Sequence, residues 1–256
     1  MTRDMPVFPA TPGQVPICAD DFAFNPACSE AIAKLALAQK IQATSALVLS
    51  PHWMRDAPLL QAVRGRLSVG LHLDWTSRYA LSAGHGMGLG EAMMRAALGR
   101  FPLVRTRQIV AKQLDLFEAC WGAPPDHIDG HQHVHQFAGI REALLAELTA
   151  RYPRHRPWIR ISNPANQCNS IKTQVIRAQG ASRLKVLSEQ LSFPYTPFLS
   201  GIYDFRGGEG RFRQLLGQWK QQAQPGTVIM CHPGTAIEPG DSHGDARVWE
   251  YAVLSS

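Results

Sequence analysis

The chain has 256 residues, with 26 lysines and arginines against 20 aspartates and glutamates and a formal net charge of +6. Its apolar content of 45% is ordinary for a globular protein and argues against a disordered chain. No apolar run reaches the roughly 18 residues that a transmembrane helix needs, so no membrane-spanning segment is expected.

The basic excess is concentrated in three stretches: Arg95–Arg107, Arg151–Arg160 and Arg206–Arg213. A solvated basic surface is the first interpretation, and attraction to an anionic substrate or a membrane surface is the alternative. Binding to nucleic acid is not expected, because no interleaved aromatic pattern or known motif supports it.

The cysteines indicate the redox environment of the protein, and the amino-terminal stretch indicates where its folded domain begins. The five cysteines are odd in number, widely spaced and without a C-x-x-C pair: Cys18, Cys28, Cys120, Cys168 and Cys231. This usage predicts reduced thiols and a cytoplasmic location rather than a disulfide framework. Four prolines lie within Met1–Pro16, so residues 1–14 are predicted to be an irregular arm before a single domain over residues 15–256.

Strand-like and helix-like segments alternate along the chain. In order they are strand Val15–Asp20, helix Ala27–Gln39, strands Thr44–Ser50 and Leu67–Leu73, helix Thr106–Trp121, strand Asp126–His131, helix Gly139–Tyr152, strand Trp158–Ser162, helix Arg211–Gln222 and strand Thr227–His232. This alternation predicts an α/β fold with a parallel sheet, either open or closed into a barrel. Ser77–Phe101 and Asn163–Tyr203 are less regular and are predicted to be loop insertions above the sheet.

Polar side chains recur at the carboxyl ends of these predicted strands: Asp20, Asp21, His72, His131 and His232. Parallel α/β sheets place their functional sites at that edge, so these residues are expected to converge. Taken one at a time they are ambiguous. The adjacent aspartates could cap a helix or a turn, His72 could be a core histidine, and His232 could be a turn residue.

The densest chemical signal is the segment His127–His135, which contains four of the ten histidines and Asp129. In an extended conformation His127, Asp129 and His131 share one face, although Gly130 permits a turn soon afterwards. Two histidines and one carboxylate leave coordination positions of a metal ion open, which suits a catalytic divalent ion. One or two of the four histidines are expected to support the site by hydrogen bonding instead.

Four motifs together resemble the YdjC-like carbohydrate deacetylases, which include chitooligosaccharide deacetylase and the hopanoid-biosynthesis-associated deacetylase. The motifs are Ala19-Asp20-Asp21-Phe22, Val69-Gly70-Leu71-His72-Leu73, the segment His127–His135, and His232-Pro233-Gly234, in the family's order and approximate spacing. The tail Gly244-Asp245-Ala246-Arg247, with Glu250-Tyr251 and Leu254, also looks like the family's ending. The resemblance extends from about residue 15 to residue 254.

The resemblance implies an irregular (β/α) barrel, similar to a TIM barrel, and hydrolysis of the N-acetyl group of an amino sugar or glycoconjugate. It implies one divalent metal ion, Mg²⁺ or Zn²⁺, held by Asp21, His72 and His131. By similarity Asp20 is the general base, His232 is the general acid, and Arg160 orients Asp20 or contacts the substrate. Asp129 is expected to orient a histidine, while His133 and His135 have supporting or substrate-side roles. A homodimer is also implied.

The sequence departs from the family pattern at two places near the predicted mouth of the site. Ala23 stands where the family usually has glycine, and Asp74-Trp75-Thr76 stands where the family favours asparagine or a small residue before a Leu-Thr pair. Two other functions are compatible with the residues. One is a metal-dependent phosphoester hydrolase, and the other is an inactive barrel that binds sugar or lipid.

Overall fold

The computed structural model describes residues 14–165 and 171–256. Nearly all of the predicted arm and Cys168 therefore lie outside the described residues. Within them, no helix is both long enough and apolar enough to cross a membrane.

Eight parallel strands form one sheet in the described part of the chain. They are Ile17–Phe22 (β1), Ala43–Ala46 (β2), Ser68–Leu73 (β3), His127–Gly130 (β4), Trp158–Arg160 (β5), Tyr195–Thr196 (β6), Phe198–Ser200 (β7) and Thr227–Cys231 (β8). Their order is β6-β5-β4-β3-β2-β1-β8-β7. An isolated parallel bridge joins Pro164, shortly after β5, to Leu199 in β7 at the other end of the sheet, so the barrel is nearly closed and the predicted TIM-barrel-like fold is confirmed.

Helices connect the strands over the described residues. They are Pro26–Leu37 (α1), His52–Asp56 (α2), Arg78–Ser82 (α3), Leu89–Ala97 (α4), Leu103–Trp121 (α5), Ile140–Arg151 (α6), Ile171–Ile176 (α7), Ser182–Gln190 (α8), Gly208–Gln221 (α9) and Gly244–Ser255 (α10). The start of α1 follows from its sequence. The side chain of Asn25 accepts a hydrogen bond from the Cys28 amide at 2.8 Å, and Pro26 occupies the first helical turn, where its missing amide hydrogen costs nothing.

The prediction that two ranges are loop insertions above the sheet is wrong. Ser77–Phe101 contains α3 and α4, and Asn163–Tyr203 contains two strands of the sheet together with α7 and α8. Strands β6 and β7 are only two and three residues long, and they are preceded by Pro194 and Pro197. Proline cannot donate to a strand ladder and normally signals a break, but the ends of a sheet tolerate it. This is why the sequence pattern did not indicate these strands.

Gly70 in β3 lies against an imidazole inside the barrel. A Cβ atom at this position would be 2.3 Å from Nε2 of His127. The ring has little room to move, because it stacks on Trp158 at 4.2 Å and its Nδ1 lies 3.0 Å from the Ser68 hydroxyl. Glycine is therefore required here by close approach rather than by backbone conformation.

We expect Gly70→Ala to lower the free energy of unfolding by about 2–3 kcal/mol, because the added methyl group overpacks a rigid core. Urea denaturation measures the change. Gly217→Ala is the control, since Gly217 is exposed in α9 and an added Cβ meets nothing within 4 Å. That variant should be stabilised by up to about 1 kcal/mol. Equal stability changes for the two variants would contradict the close approach.

Candidate active site

The adjacent aspartates at the end of β1 both face one cavity because the strand is irregular there. Asp21 has a φ of 68°, in the left-handed region, and the pairing of β1 with β2 shifts register between Ala19 and Phe22. In a regular strand, successive side chains point to opposite faces. The left-handed residue breaks this alternation, and aspartate is one of the few residues besides glycine that adopts it readily.

The cavity lies at the carboxyl ends of the strands and has a volume of about 400 Å³. Its polar lining includes most of the predicted site residues: Asp20, Asp21, His72, His131, His133 and His232. They come from the ends of β1, β3, β4 and β8. The barrel thus brings together side chains that are up to about 200 residues apart in sequence.

Asp21, His72 and His131 form a group that could hold a metal ion. Oδ1 of Asp21 lies 3.4 Å from Nε2 of His72 and 3.2 Å from Nδ1 of His131. The potential ligand atoms of the three residues all lie within 4.8 Å of one another. One carboxylate and two imidazoles with access to a cavity are a typical donor set for a catalytic divalent ion.

Two other groups of potential ligands occur in the described residues, but they are less suitable. One contains Cys18, His127 and Asp129, and the other contains Asp20, His72 and Asp129. Neither group lines the cavity with all of its members. Each also includes Asp129, whose Oδ2 lies 3.0 Å from the Arg160 guanidinium, a permanent cation that opposes metal binding.

Asp129 fixes the orientation of His72. Nδ1 of His72 lies 2.7 Å from Oδ1 of Asp129, which leaves Nε2 directed toward Asp21. Burial disfavours the charged imidazole, but the Asp129 carboxylate outweighs it and raises the pKa of His72 to about 9. Burial likewise opposes ionisation of Asp129, yet Arg160 and His72 hold the pKa of this carboxyl well below its usual value. A carboxylate that orients a ligating histidine is a common arrangement in metal sites.

Arg160 at the end of β5 binds Asp20 with two parallel hydrogen bonds. The guanidinium donates to Oδ1 at 2.6 Å and to Oδ2 at 2.7 Å, and both side chains are buried. Its backbone carbonyl accepts a hydrogen bond of 2.7 Å from Nε2 of His135. His135 does not line the cavity, so it supports the strand that presents Arg160 and does not face a substrate.

His131 and His133 occupy a tight turn that follows β4 directly. Gln132 and His133 have φ values of 52° and 63°, so the chain turns sharply instead of continuing the strand. Both histidines line the cavity, and Nδ1 of His133 lies 3.0 Å from the hydroxyl of Ser162. Burial, and then the charge of Arg160, lowers the pKa of His133 well below its ordinary value, so this imidazole is neutral near pH 7. His127, by contrast, is enclosed in the barrel.

His232 follows β8 and faces the same cavity. Burial lowers its pKa to about 4, so the resting imidazole is neutral near pH 7. Its Nδ1 is buried and has no hydrogen-bond partner among the described residues. This nitrogen therefore has an unused capacity to donate or accept one hydrogen bond.

Arg247 and Glu250 of α10 support the site, although neither was among the predicted site residues. Arg247 donates to Oδ2 of Asp21 at 2.7 Å and to Oδ2 of Asp241 at 2.6 Å. It leaves Oδ1 of Asp21 facing the two imidazoles. Burial opposes ionisation of Asp21, but Arg247 and His131 together hold the pKa of this carboxyl well below its usual value. The family-like tail Gly244-Asp245-Ala246-Arg247 was the available signal.

Glu250 holds the backbone of His232 in place. One carboxylate oxygen accepts the His232 amide, and the other accepts the Tyr203 hydroxyl at 2.6 Å. Burial raises the pKa of Glu250 from 4.5 to about 7. The folded state therefore binds this proton more tightly than the unfolded chain does, and the stability that the group contributes is lost as the pH rises through about 7.

We expect Glu250→Gln to remove this pH dependence, because glutamine does not ionise. Its amide oxygen can accept the His232 amide while its NH2 group donates to the Tyr203 hydroxyl oxygen. Raising the pH from about 5 to about 8 should cost the wild type about 2–3 kcal/mol of unfolding free energy relative to the variant. Urea titrations at several pH values measure this difference. Tyr203→Phe retains the carboxyl group and should retain the slope. Parallel curves for wild type and Glu250→Gln would contradict the raised pKa.

The two departures from the family pattern do not reach the cavity, contrary to the expectation that they lie at its mouth. Ala23 is fully buried, with a φ of 67° and its amide bonded to the Ser29 hydroxyl at 3.1 Å. Asp74 is also buried and accepts hydrogen bonds from the amides of Thr76 and Ser77. Trp75 packs edge-on against other rings. None of the three departing residues lines the cavity, so they act on local structure.

Comparison with known proteins places these features in a family. The sequence profile of the YdjC-like protein family matches residues 14–256. A carbohydrate deacetylase of Mus musculus is 31% identical over 146 residues, which are 52% of this chain and 46% of the mouse protein, so less than half of that protein is matched. A chitooligosaccharide deacetylase of Yersinia pestis (strain Pestoides F) is 28% identical over 224 residues, 84% of this chain and 80% of that protein.

A solved structure shares the fold. It comes from Enterococcus faecalis V583, and its description assigns it provisionally to cellobiose-phosphate cleavage. The two structures align with a TM-score of 0.67 and 21% identity, covering 94% of this chain and 90% of the other. At this identity the likeness supports the barrel fold alone. The family profile, in contrast, covers almost the whole chain, and this chain therefore belongs to the YdjC-like protein family.

Proposed function

We propose that this chain is a metal-dependent carbohydrate deacetylase that hydrolyses the acetamide of an N-acetylated amino sugar. The main support is one juxtaposition. The Asp21, His72 and His131 group opens onto the same cavity as the arginine-bound Asp20 and the unpartnered imidazole of His232. The names of the relatives in Mus musculus and Yersinia pestis agree with this activity.

Asp21, His72 and His131 would hold one divalent ion, and their donor atoms are close enough together to do so. The ion would supply electrophilic activation of the acetamide carbonyl and of the attacking water. Two imidazole nitrogens among three donors favour Zn²⁺ or another transition ion over Mg²⁺, which prefers oxygen ligands. The Asp129 carboxylate and the Arg247 guanidinium would keep His72 and Asp21 in the orientation that binding requires.

Asp20 would act as the general base. Arg160 holds the plane of its carboxylate while further lone pairs on both oxygens remain available to a water molecule. His232 is neutral at rest. It would take up a proton from solvent in the cavity as negative charge develops, and would donate it to the nitrogen as the C–N bond breaks, while the proton that Asp20 removes from water returns to solvent. Without the proton from His232 the amine is a poor leaving group, so both residues are needed.

The catalytic unit would be a single barrel domain over residues 15–256. A cytoplasmic location is part of the proposal. It is supported by the cysteines of the described residues, which are all free: Cys18, Cys28, Cys120 and Cys231. A homodimer, implied by the family resemblance, also remains a proposal.

Acetate release tests the function. The purified protein, loaded separately with Zn²⁺ and Mg²⁺, is incubated with N-acetylglucosamine oligomers, nucleotide-linked N-acetyl sugars and acetylated glycolipids. We expect acetate from at least one class, loss of activity with a chelator, and its return when metal is restored. His72→Ala should abolish both metal content and activity.

The same assay distinguishes the alternatives. Release of phosphate from phosphoesters without acetate release would favour a phosphoester hydrolase. A protein that binds no metal and releases neither product would favour an inactive sugar- or lipid-binding barrel. The geometry does not favour a two-metal phosphoester hydrolase, because Arg160 already binds both Asp20 and Asp129, the two carboxylates that a second metal ion would need.

A further inference from the structure

The wall of the cavity beside the polar site is apolar. Leu89 and Met93 of α4 lie one helical turn apart and both line it, and Val175 and Ile176 of α7 contribute further apolar surface. An aliphatic wall offers no hydrogen-bond partner to the hydroxyl groups of a sugar. The apolar side chains therefore indicate that an apolar part of the ligand, besides its sugar ring, lies against this wall of the cavity.

Further apolar side chains are exposed at the end of α4 and the beginning of α5, directly after these wall residues in the sequence. Met94, Leu98, Leu103 and Val104 are exposed to 54%, 56%, 51% and 71% of their surface. We call the segment from Met94 to Arg105 the α4–α5 corner. Single exposed apolar residues are ordinary, but four within eleven positions, next to an apolar cavity wall, mark an interaction surface.

Basic side chains predominate in this part of the chain. Residues 92–114 contain five basic residues and no acidic residue: Arg95, Arg100, Arg105, Arg107 and Lys112. Arg95 pairs with Glu91 at 2.7 Å and Arg107 pairs with Glu147 at 2.9 Å. Within the described residues, Arg100 and Arg105 have no carboxylate at salt-bridge distance, and they alternate with the exposed apolar side chains. A protein partner would require acidic and apolar groups in register, whereas an anionic bilayer offers both everywhere.

We propose that the α4–α5 corner docks this protein on the surface of an anionic lipid bilayer, with its apolar side chains among the acyl chains and Arg100 and Arg105 at the phosphates. The cavity wall formed by Leu89 and Met93 then adjoins the membrane. If the proposed function holds, the substrate is an N-acetylated sugar attached to a membrane lipid, whose apolar portion lies along that wall.

Vesicle binding tests the docking without reference to catalysis. The full chain is sedimented with phosphatidylcholine vesicles, with and without phosphatidylglycerol, at low and high salt. We expect binding to the anionic vesicles that weakens as salt increases. The triple variant Leu98→Ser/Leu103→Ser/Val104→Ser, and separately Arg100→Gln/Arg105→Gln, should each weaken binding by at least about tenfold.

The matched control is Leu37→Ser/Met54→Ser, which removes two apolar side chains exposed to 53% and 78% on α1 and α2. This control should bind like the wild type. All the substituted side chains are exposed, and the thermal unfolding of each variant verifies that the fold is kept. Absence of wild-type binding to anionic vesicles, or triple-variant binding equal to the wild type, would overturn the proposal. A wild-type dimer that the triple variant dissociates would also overturn it, because a second copy would then cover the corner.

Acetate release separates the docking from the proposed function. The triple variant should lose activity on an acetylated glycolipid in anionic vesicles and keep full activity on a soluble N-acetylglucosamine oligomer. If the wild type binds vesicles but releases acetate from nothing, the deacetylase function fails while the docking stands. If activity on both substrates is unaffected by the substitutions, the docking has no role in substrate access and the lipid-linked substrate is contradicted.

Discussion

Asp20→Asn is expected to lower kcat for acetate release by about 10²–10⁴-fold while the protein keeps its metal ion. Asparagine has nearly the same shape as aspartate, and its oxygen can still accept a hydrogen bond from Arg160. It cannot take a proton from water. The substitution therefore removes the proposed base and leaves the Asp21, His72 and His131 group intact.

Asp21→Asn is the matched comparison, because it makes the same chemical change at the next residue. Here metal content should fall together with activity, since Oδ1 of Asp21 lies 3.2–3.4 Å from both imidazoles of the group. Elemental analysis of the purified variants and their kcat values are the measurements. Loss of metal from Asp20→Asn would instead indicate the group of Asp20, His72 and Asp129. Full activity of Asp20→Asn would assign the base elsewhere.

Arg160→Met is expected to lower the free energy of unfolding by about 3–5 kcal/mol. Arg160 is fully buried, and it lies within 3.0 Å of carboxylate oxygens of both Asp20 and Asp129. Methionine fills much of the same space but leaves two buried carboxylates without their cation. Denaturant unfolding near pH 7 measures the loss. The variant should also lose activity, because Asp20 loses its orientation.

The destabilisation should depend on pH with a definite sign. In the wild type the pKa of Asp129 is depressed, so its contribution is present above the unfolded value and is lost as the pH falls. Without Arg160 that contribution is missing at neutral pH, so the wild type and variant should converge only as the pH falls below about 4, from the unfolded value toward the depressed pKa of Asp129. Arg151→Met is the control. Its guanidinium also meets two carboxylates, Asp115 and Glu118, but at the surface, and the expected loss is below about 1 kcal/mol. Equal losses for the two variants would contradict the argument from burial.

The barrel could be predicted from the sequence because its longer strands are continuous apolar runs with polar residues at their carboxyl ends. β3 and β8 are of this kind, and His72 and His232 lie at or just after their ends. The short strands β6 and β7 could not be predicted. Two or three residues beside prolines carry too little pattern, and their pairing depends on neighbouring strands already being in place.

The positions of the four histidines in the segment His127–His135 could not be predicted from their spacing. Period-two alternation would place all four histidines on one face, but the left-handed residues Gln132 and His133 break it. The structure distributes them over three environments. His127 is inside the barrel, His131 and His133 are at the cavity, and His135 is behind Arg160.

By itself the sequence determined the chemistry available to this protein. The residue types and their order indicated an α/β barrel with aspartates and histidines at the strand ends, because burial and strand periodicity are local properties. Only the tertiary structure decided the partners of these groups. Arg247 reaches Asp21 across 226 positions, Arg160 holds Asp20 across 140, and Glu250 fixes the backbone of His232. The reason is physical: ion pairing and desolvation depend on distance in space, which sequence separation does not report.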